Sequence, residues 1–469
     1  MQFRTSTLVL FTALTVPAAA QAPVGEAPAL GDPLERIQQS DLTGGTMTLD
    51  EVRAAGLKIF ATPFNTFDGY GDGPMLDPND TVSPGNRPTL QNNGTFLRVN
   101  GLDAQTCMEC HSVGSFATVP FRFAVGGVGA SNNNVLFQPR NIDVDDEAAN
   151  QFADFDGRYI NPPFLFGSGG VELVGKEMTI DLQGLKIQAF RNPGVVVQLN
   201  THGVHFGTLS YDDTTRTFDT SGIEGVDHDL VVRPFGRKGE FATVRGFDVD
   251  AMLFHFGMEP VEAVGADVDN DGDGIVNEIT IGELSALHIF NTNLERPEMR
   301  GSTPESVSGA KHFLALGCAD CHVPNIDTRA AVLRYTFPEV EEKPRKNAFF
   351  SANLAASKAG FDSIPGGGVS VPMFSDLKRH DMGPGLAESF GSELDSEFIT
   401  ARLWGVADTA PYLHDGRALS LTQAILLHGG EAQAARDNFD AAPDVVKAEL
   451  LAFLRTLRTP VTPAADLLD

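Results

Sequence analysis

Apolar residues recur at helical spacing in a few separated stretches of the chain. Over 169–188, Val171, Val174, Met178, Leu182 and Leu185 fall on one face and predict a helix, although Gly175 and Gly184 interrupt it. Residues 281–294 predict another. Two shorter apolar helices each end in histidine with glycine just after. One is Ala251-Met252-Leu253-Phe254-His255-Phe256-Gly257 and the other Ala424-Ile425-Leu426-Leu427-His428-Gly429-Gly430. Ser420 and Gln423 give the second a capping box, and Gly429 suits its exit. Between 194 and 232 the period changes. Runs such as Val195-Val196-Val197-Gln198-Leu199, with Tyr211-Asp212-Asp213 as a turn, predict strands.

The first twenty residues carry one charge, Arg4, followed by an apolar stretch over 8–20 that ends Ala18-Ala19-Ala20. It is shorter than the ~20 residues a membrane span needs and has the small-residue ending of a cleaved secretory signal. Residues 1–20 are therefore expected to be a signal peptide and 21–46, rich in Ala, Pro and Gly, a linker. The mature protein is expected to be soluble and exported, periplasmic or otherwise, with no membrane span. Lys and Arg number 34 against 62 Asp and Glu, a net charge of −28. Phosphates are repelled by such a surface, which excludes a nucleic-acid partner.

All four cysteines lie in two copies of one pattern, Cys107-Met108-Glu109-Cys110-His111 and Cys318-Ala319-Asp320-Cys321-His322. Two thiols at this spacing reach the two vinyl groups of a haem and form thioethers. The histidine that follows is placed under the iron as its proximal ligand. A zinc site would need paired C-x-x-C knuckles ~15–20 residues apart, and these two are far more distant. A redox C-x-x-C would not need the histidine twice. Two covalently bound haem c groups follow, attached through Cys107, Cys110, Cys318 and Cys321 and ligated by His111 and His322.

The chain repeats itself around these motifs. Gly56-Leu57-Lys58-Ile59-Phe60 precedes the first, and Gly309-Ala310-Lys311-His312-Phe313 the second. The first copy carries a loop insertion over 68–94, rich in Asn, Gly, Pro and Asp. Each half thus reads as helix, haem motif, long connection, helix ending in histidine. The domains predicted are 47–295, with a small β-rich insertion over about 120–240, and 296–469.

Between the halves, Asp267, Asp269, Asp271 and Asp273 occupy positions 1, 3, 5 and 7 of a twelve-residue loop with Gly272 at 6 and Glu278 at 12. That is the oxygen-donor pattern of a calcium loop. Position 8 is Gly274 where an apolar residue is usual.

These residues resemble the bacterial di-haem cytochrome c peroxidase and MauG superfamily, and within it the di-haem oxidoreductase branch. Phe398 to Tyr412, reading FITARLWGVADTAPY, and LHDGRALSLTQAILLH to His428 align without gaps to its second domain. Thr409-Ala410-Pro411-Tyr412 and His414-Asp415-Gly416 are its hallmark, and His380-Asp381-Met382-Gly383 looks like the oxidoreductase branch. The resemblance implies a mainly α fold of two cytochrome c-like haem domains, haems side by side. It implies a peroxide site at the first haem, fed with electrons through the second, and a structural calcium between the halves. The small soluble donor would be a cytochrome c or cupredoxin.

The resemblance also places His428 where the second haem usually has methionine as far ligand, with Met382 and His414 as alternatives. A His/His iron has a lower potential than a Met/His one. At the first haem the internal repeat puts His255 over the iron, either as a ligand or as the base a peroxide site needs. The family's catalytic Glu has its counterpart, shifted by one residue, in Glu259. Glu172 and Glu177 are lesser candidates, better read as capping or solvated charges. Three functions follow: peroxide reduction, an oxygenase or MauG-like protein oxidant, and a non-catalytic electron relay. The far side of the first haem discriminates among them.

Overall fold

A computed structural model of the chain describes residues 27–32, 35–71, 104–111, 136–143, 154–390 and 393–468. The expected signal segment lies outside these residues. So do 72–94 of the loop insertion, and 120–135 and 144–153 of the expected β-rich insertion.

Two helix pairs organise what is described. Thr48 begins the helix Leu49–Ala61 by accepting the Glu51 N–H, while Glu51 accepts the Thr48 N–H. Its buried face, with Val52, Leu57, Ile59 and Phe60, meets the helix Ile281–Thr292, started by the same reciprocal cap of Thr280 and Glu283. Gly56 lies against the Ala286 carbonyl and Phe290, where a Cβ has no room. The rings of Phe60 and Phe290 are 5.5 Å apart. In the second half the helix Pro304–Ala315 packs on Asp444–Leu454 in the same way. Gly309 meets the Glu449 carbonyl, and Phe313 and Phe453 stand 5.5 Å apart. The repeated Gly and Phe in the sequence are therefore one helix crossing made twice. Glycine admits the partner's backbone, and the aromatic one turn on fills the contact. Burying each of these rings contributes ~1.5–3 kcal/mol.

The expectation of a mainly α fold does not hold. Among the described residues, eleven α-helices are accompanied by sixteen strands, arranged in seven sheets of two or three strands. In the first half β structure was expected, and Leu136–Asp143 pairs antiparallel with Asp154–Ile160. Val197–Thr201, Val204–Asp212 and Thr217–Asp219 form a further sheet. The strands of the second half were not expected. Val332–Thr336 pairs with Ala348–Asn353, and Arg379–Asp381 with Glu397–Ile399. Strands this short contain too few alternating positions to show a period of two. Long-range packing holds them instead: Tyr335 is fully buried, with its ring 5.0 Å from that of His288 on the helix Ile281–Thr292.

The helix predicted over 169–188 is Ser168–Arg191, unbroken by its internal glycines. The described part of the expected linker is bound to the first half. Arg36 pairs with Glu283 and donates to the Glu278 carbonyl, while Asp68 accepts the N–H groups of Ala29 and Leu30.

Candidate functional site

Each haem motif is a single tight turn. In the first, Cys107–Glu109 forms a single 3₁₀ turn, and the His111 N–H returns to the Cys107 carbonyl at 2.9 Å. Thr106 ties the turn to the preceding helix by donating to the Phe60 carbonyl at 2.9 Å. In the second, Cys318–Asp320 makes the same turn, and the His322 N–H reaches the Cys318 carbonyl at 3.0 Å. None of the four cysteines is in a disulfide.

The ring nitrogens explain how the two histidines would be aimed. His111 Nδ1 lies 2.8 Å from the Pro163 carbonyl, and His322 Nδ1 lies 3.1 Å from the Phe374 carbonyl. A carbonyl only accepts, so each Nδ1 carries the proton and each Nε2 keeps its lone pair for a metal. Burial pushes both pKa values down to about 4. The neighbouring His255 adds to the effect at His111 and His428 adds to it at His322. Both rings are thus held neutral, the form that ligates iron.

His428 stands opposite His322 at the second site. Its Nδ1–H donates to the Ala424 carbonyl at 2.8 Å, at the end of the helix Leu421–Leu426. This satisfies the helix terminus and again frees Nε2. The rings of His322 and His428 stand 6.4 Å apart at 56°. With a metal–nitrogen bond of ~2 Å on each side, two imidazoles sharing one iron would have centres about 6 Å apart. The donor set and spacing therefore fit a haem held between them. His414 is engaged elsewhere, stacked on Phe398 at 4.4 Å. The Met382 backbone is bound to Ser396.

The first site differs. An aromatic ring beside His111 is that of Phe247, 6.5 Å away and edge-on at 78°. His255 sits in the π-helical turn Met252–Phe256, which continues the helix Val244–Ala251. Such turns recur at functional sites. His255 is close enough to His111 and Asp250 to influence the charge of both. No period or motif marks Phe247 or Asp250 in the sequence.

Glu172 and Glu177 hold structure together. Glu172 is fully buried and accepts from Lys176 at 2.7 Å, His288 at 2.8 Å and the Val244 N–H at 3.0 Å. Burial opposes its charge, but His288 and Lys176 outweigh that and bring its pKa down to about 2. Glu177 accepts the N–H groups of Arg329 and Ala330.

Glu259 belongs with the acidic loop. Its carboxylate approaches those of Asp271 and Glu278, all three buried and with oxygens within 4.8 Å of one another. Asp269 and Asp273 share Asp271 in an adjoining group of the same size. The Glu259 N–H donates to Glu278 Oε2 at 2.6 Å, and Glu259 Oε2 accepts the Asn270 N–H at 2.9 Å. The other oxygen of each glutamate is buried without a partner. Burial, then the charges of Asp271, Asp273 and Glu259, push the Glu278 pKa up to about 10. Buried, unpaired carboxylate oxygens in this number fit a hard divalent cation such as calcium. Asp267 is turned to Asn277, accepting from its side chain at 2.8 Å, and joins neither group.

Residues 361–457 match the family described as "Di-haem oxidoreductase, putative peroxidase". This segment is similar to the di-haem oxidoreductases. It contains His428 but neither C-x-x-C-H motif. No curated protein matches the chain. Among solved structures it is similar to a MauG-like protein associated with microbial copper homeostasis. That match has 14% identity and a TM-score of 0.28, covering 61% of this chain and 89% of the other. A Kuenenia stuttgartiensis hydrazine synthase matches with 14% identity and a TM-score of 0.30, covering 97% and 100%. Likenesses this distant carry no argument here. The family supports a di-haem redox role, and no described helix is long and apolar enough to cross a membrane.

Proposed function

We propose that this chain is an exported di-haem c-type oxidoreductase. It would reduce hydrogen peroxide at the first haem with electrons passed through the second. One observation carries the reading. His322 is faced by a second imidazole, His428, at 6.4 Å, whereas His111 has the Phe247 ring edge-on at 6.5 Å and His255 near enough to influence its charge. A site closed by two histidines suits electron transfer, and a site bordered by phenyl suits binding a small oxidant.

When bound, the two haems supply one-electron redox chemistry, and an open iron supplies a place for peroxide. The rest is work for the chain's own residues. Reducing peroxide to two waters consumes two electrons and two protons. His255 is the base that takes the proton of HOOH and returns it to the departing hydroxide. Asp250, exposed and within electrostatic reach of His255, would pass in from solvent the two protons that the reduction consumes. Phe247 and Phe241, their rings 5.7 Å apart, would line the His111 side. His428 and His322 would hold the second haem between them. The acidic loop, closed by Glu259, would hold calcium and fix the segment that follows His255. The donor would be a small soluble cytochrome c or cupredoxin, and the acidic surface favours a basic docking face.

The test is electron paramagnetic resonance on the purified protein together with haem quantification. Two covalent haems per chain are expected, one low-spin and one with a high-spin component, and peroxide turnover with a reduced donor. Two fully low-spin haems and no turnover would instead identify an electron relay.

A further inference from the structure

His380 opens the run His380-Asp381-Met382-Gly383 noted in the sequence, and nothing above assigns it a role. It is buried, and both of its ring nitrogens are bonded. Nε2 lies 2.8 Å from Asp376 Oδ2, and Nδ1 lies 2.7 Å from Glu431 Oε2. Both partners are carboxylate oxygens, so both nitrogens donate and the ring is an imidazolium. Burial opposes that charge, yet hydrogen bonds to Asp376, Cys321 and Glu431 push its pKa up to about 11.

The two carboxylates belong to opposite sides of the second haem site. On the proximal side, the Phe374 carbonyl orients His322, and the Asp376 N–H donates to the Cys321 carbonyl at 2.9 Å. Asp376 is therefore fixed to the haem motif itself. On the far side, Glu431 follows His428 by three residues. Its second oxygen accepts the Asp381 N–H at 3.0 Å. Asp376 is buried, whereas the Glu431 side chain is 56% exposed.

We infer that His380 is a positioning residue of the second haem. As an imidazolium clamped between Asp376 and Glu431, it ties the segment that orients His322 to the segment that carries His428. The two axial histidines come from distant parts of the chain, and ligand geometry at a metal depends on such outer hydrogen bonds. The imidazolium also places a positive charge beside the Cys321 attachment point, favouring ferrous iron, while Glu431 contributes the opposite charge.

This inference rests on His322 and His428 being the ligands, and His428→Gly tests that separately. An unchanged low-spin signal in His428→Gly overturns the ligand reading. For the clamp, His380→Gln and Glu431→Ala are compared with wild type as full-length protein carrying both haems. Glutamine keeps one of the two donors, and alanine removes a half-exposed carboxylate. Both variants are expected to broaden the second haem's low-spin signal and add a high-spin fraction, leaving the first haem's spectrum unchanged. The midpoint potential should fall in His380→Gln, where a positive charge is lost, and rise in Glu431→Ala, where a negative one is lost. A purely structural role would not produce shifts of opposite sign. Wild-type g-values and potential in folded His380→Gln overturn the clamp. If that variant does not fold, the same result in Glu431→Ala overturns it.

Discussion

His322 and His428 face each other with ring centres 6.4 Å apart, and each gives its Nδ1–H to a backbone carbonyl. The arrangement leaves two unprotonated Nε2 atoms for one iron. His428→Met is expected to keep six-coordination and raise the second haem's reduction potential, because a thioether favours ferrous iron. His428→Gly should give a five-coordinate, high-spin component and slow turnover, with the first haem's spectrum unchanged. Spectroelectrochemistry of the two variants measures both outcomes.

His255 is read as an acid–base group at the first haem. His255→Ala should lower kcat/KM for peroxide by ~10²–10⁴-fold and leave the first haem's spin state as it is. A conversion from low spin to high spin in this variant would show instead that His255 ligates the iron. Optical spectra and steady-state kinetics on one preparation distinguish the two.

The acidic loop predicts a pH dependence that calcium abolishes. In the folded protein Glu278 has its pKa raised from 4.5 to about 10 by burial and neighbouring carboxylates. The folded chain then holds a proton that the unfolded chain releases. Metal-free protein should lose stability as pH rises from about 4.5 towards about 10. Melting temperatures in chelator should fall between about pH 5 and about pH 8, and excess calcium should flatten the curve. Glu259→Gln should weaken calcium binding at least ~10-fold, whereas Asp267→Asn should change it little. Calorimetric titration gives the affinities.

The repeated helix crossing makes a prediction about stability alone. Gly56→Ala and Gly309→Ala each push a Cβ into a carbonyl of the partner helix, Ala286 or Glu449. Each should cost ~1–3 kcal/mol, seen as a lower melting temperature in the haem-loaded protein. Gly184→Ala, at a position with open space, is the control and should melt no lower than wild type.

The sequence by itself determined the local chemistry. Two cysteines and a histidine within one turn are the pattern of a haem attachment wherever that turn lies in the fold. The alternating aspartates are the pattern of a cation loop. Each of these is complete within a dozen residues, so spacing alone encodes it. The resemblance added His428, which the structure brings opposite His322. Tertiary structure decided what depends on distant segments meeting. It set Phe247 against His111, although neither residue's neighbours predict the other. It carried Glu259 to the cation loop, because the chain turns after Gly257 and buries that carboxylate beside Asp271 and Glu278. It also folded 326–399 into short hairpins and closed His380 between Asp376 and Glu431. A hydrogen bond or a ring contact between remote residues leaves no period in the sequence, since its energy is gained only once the intervening chain has folded.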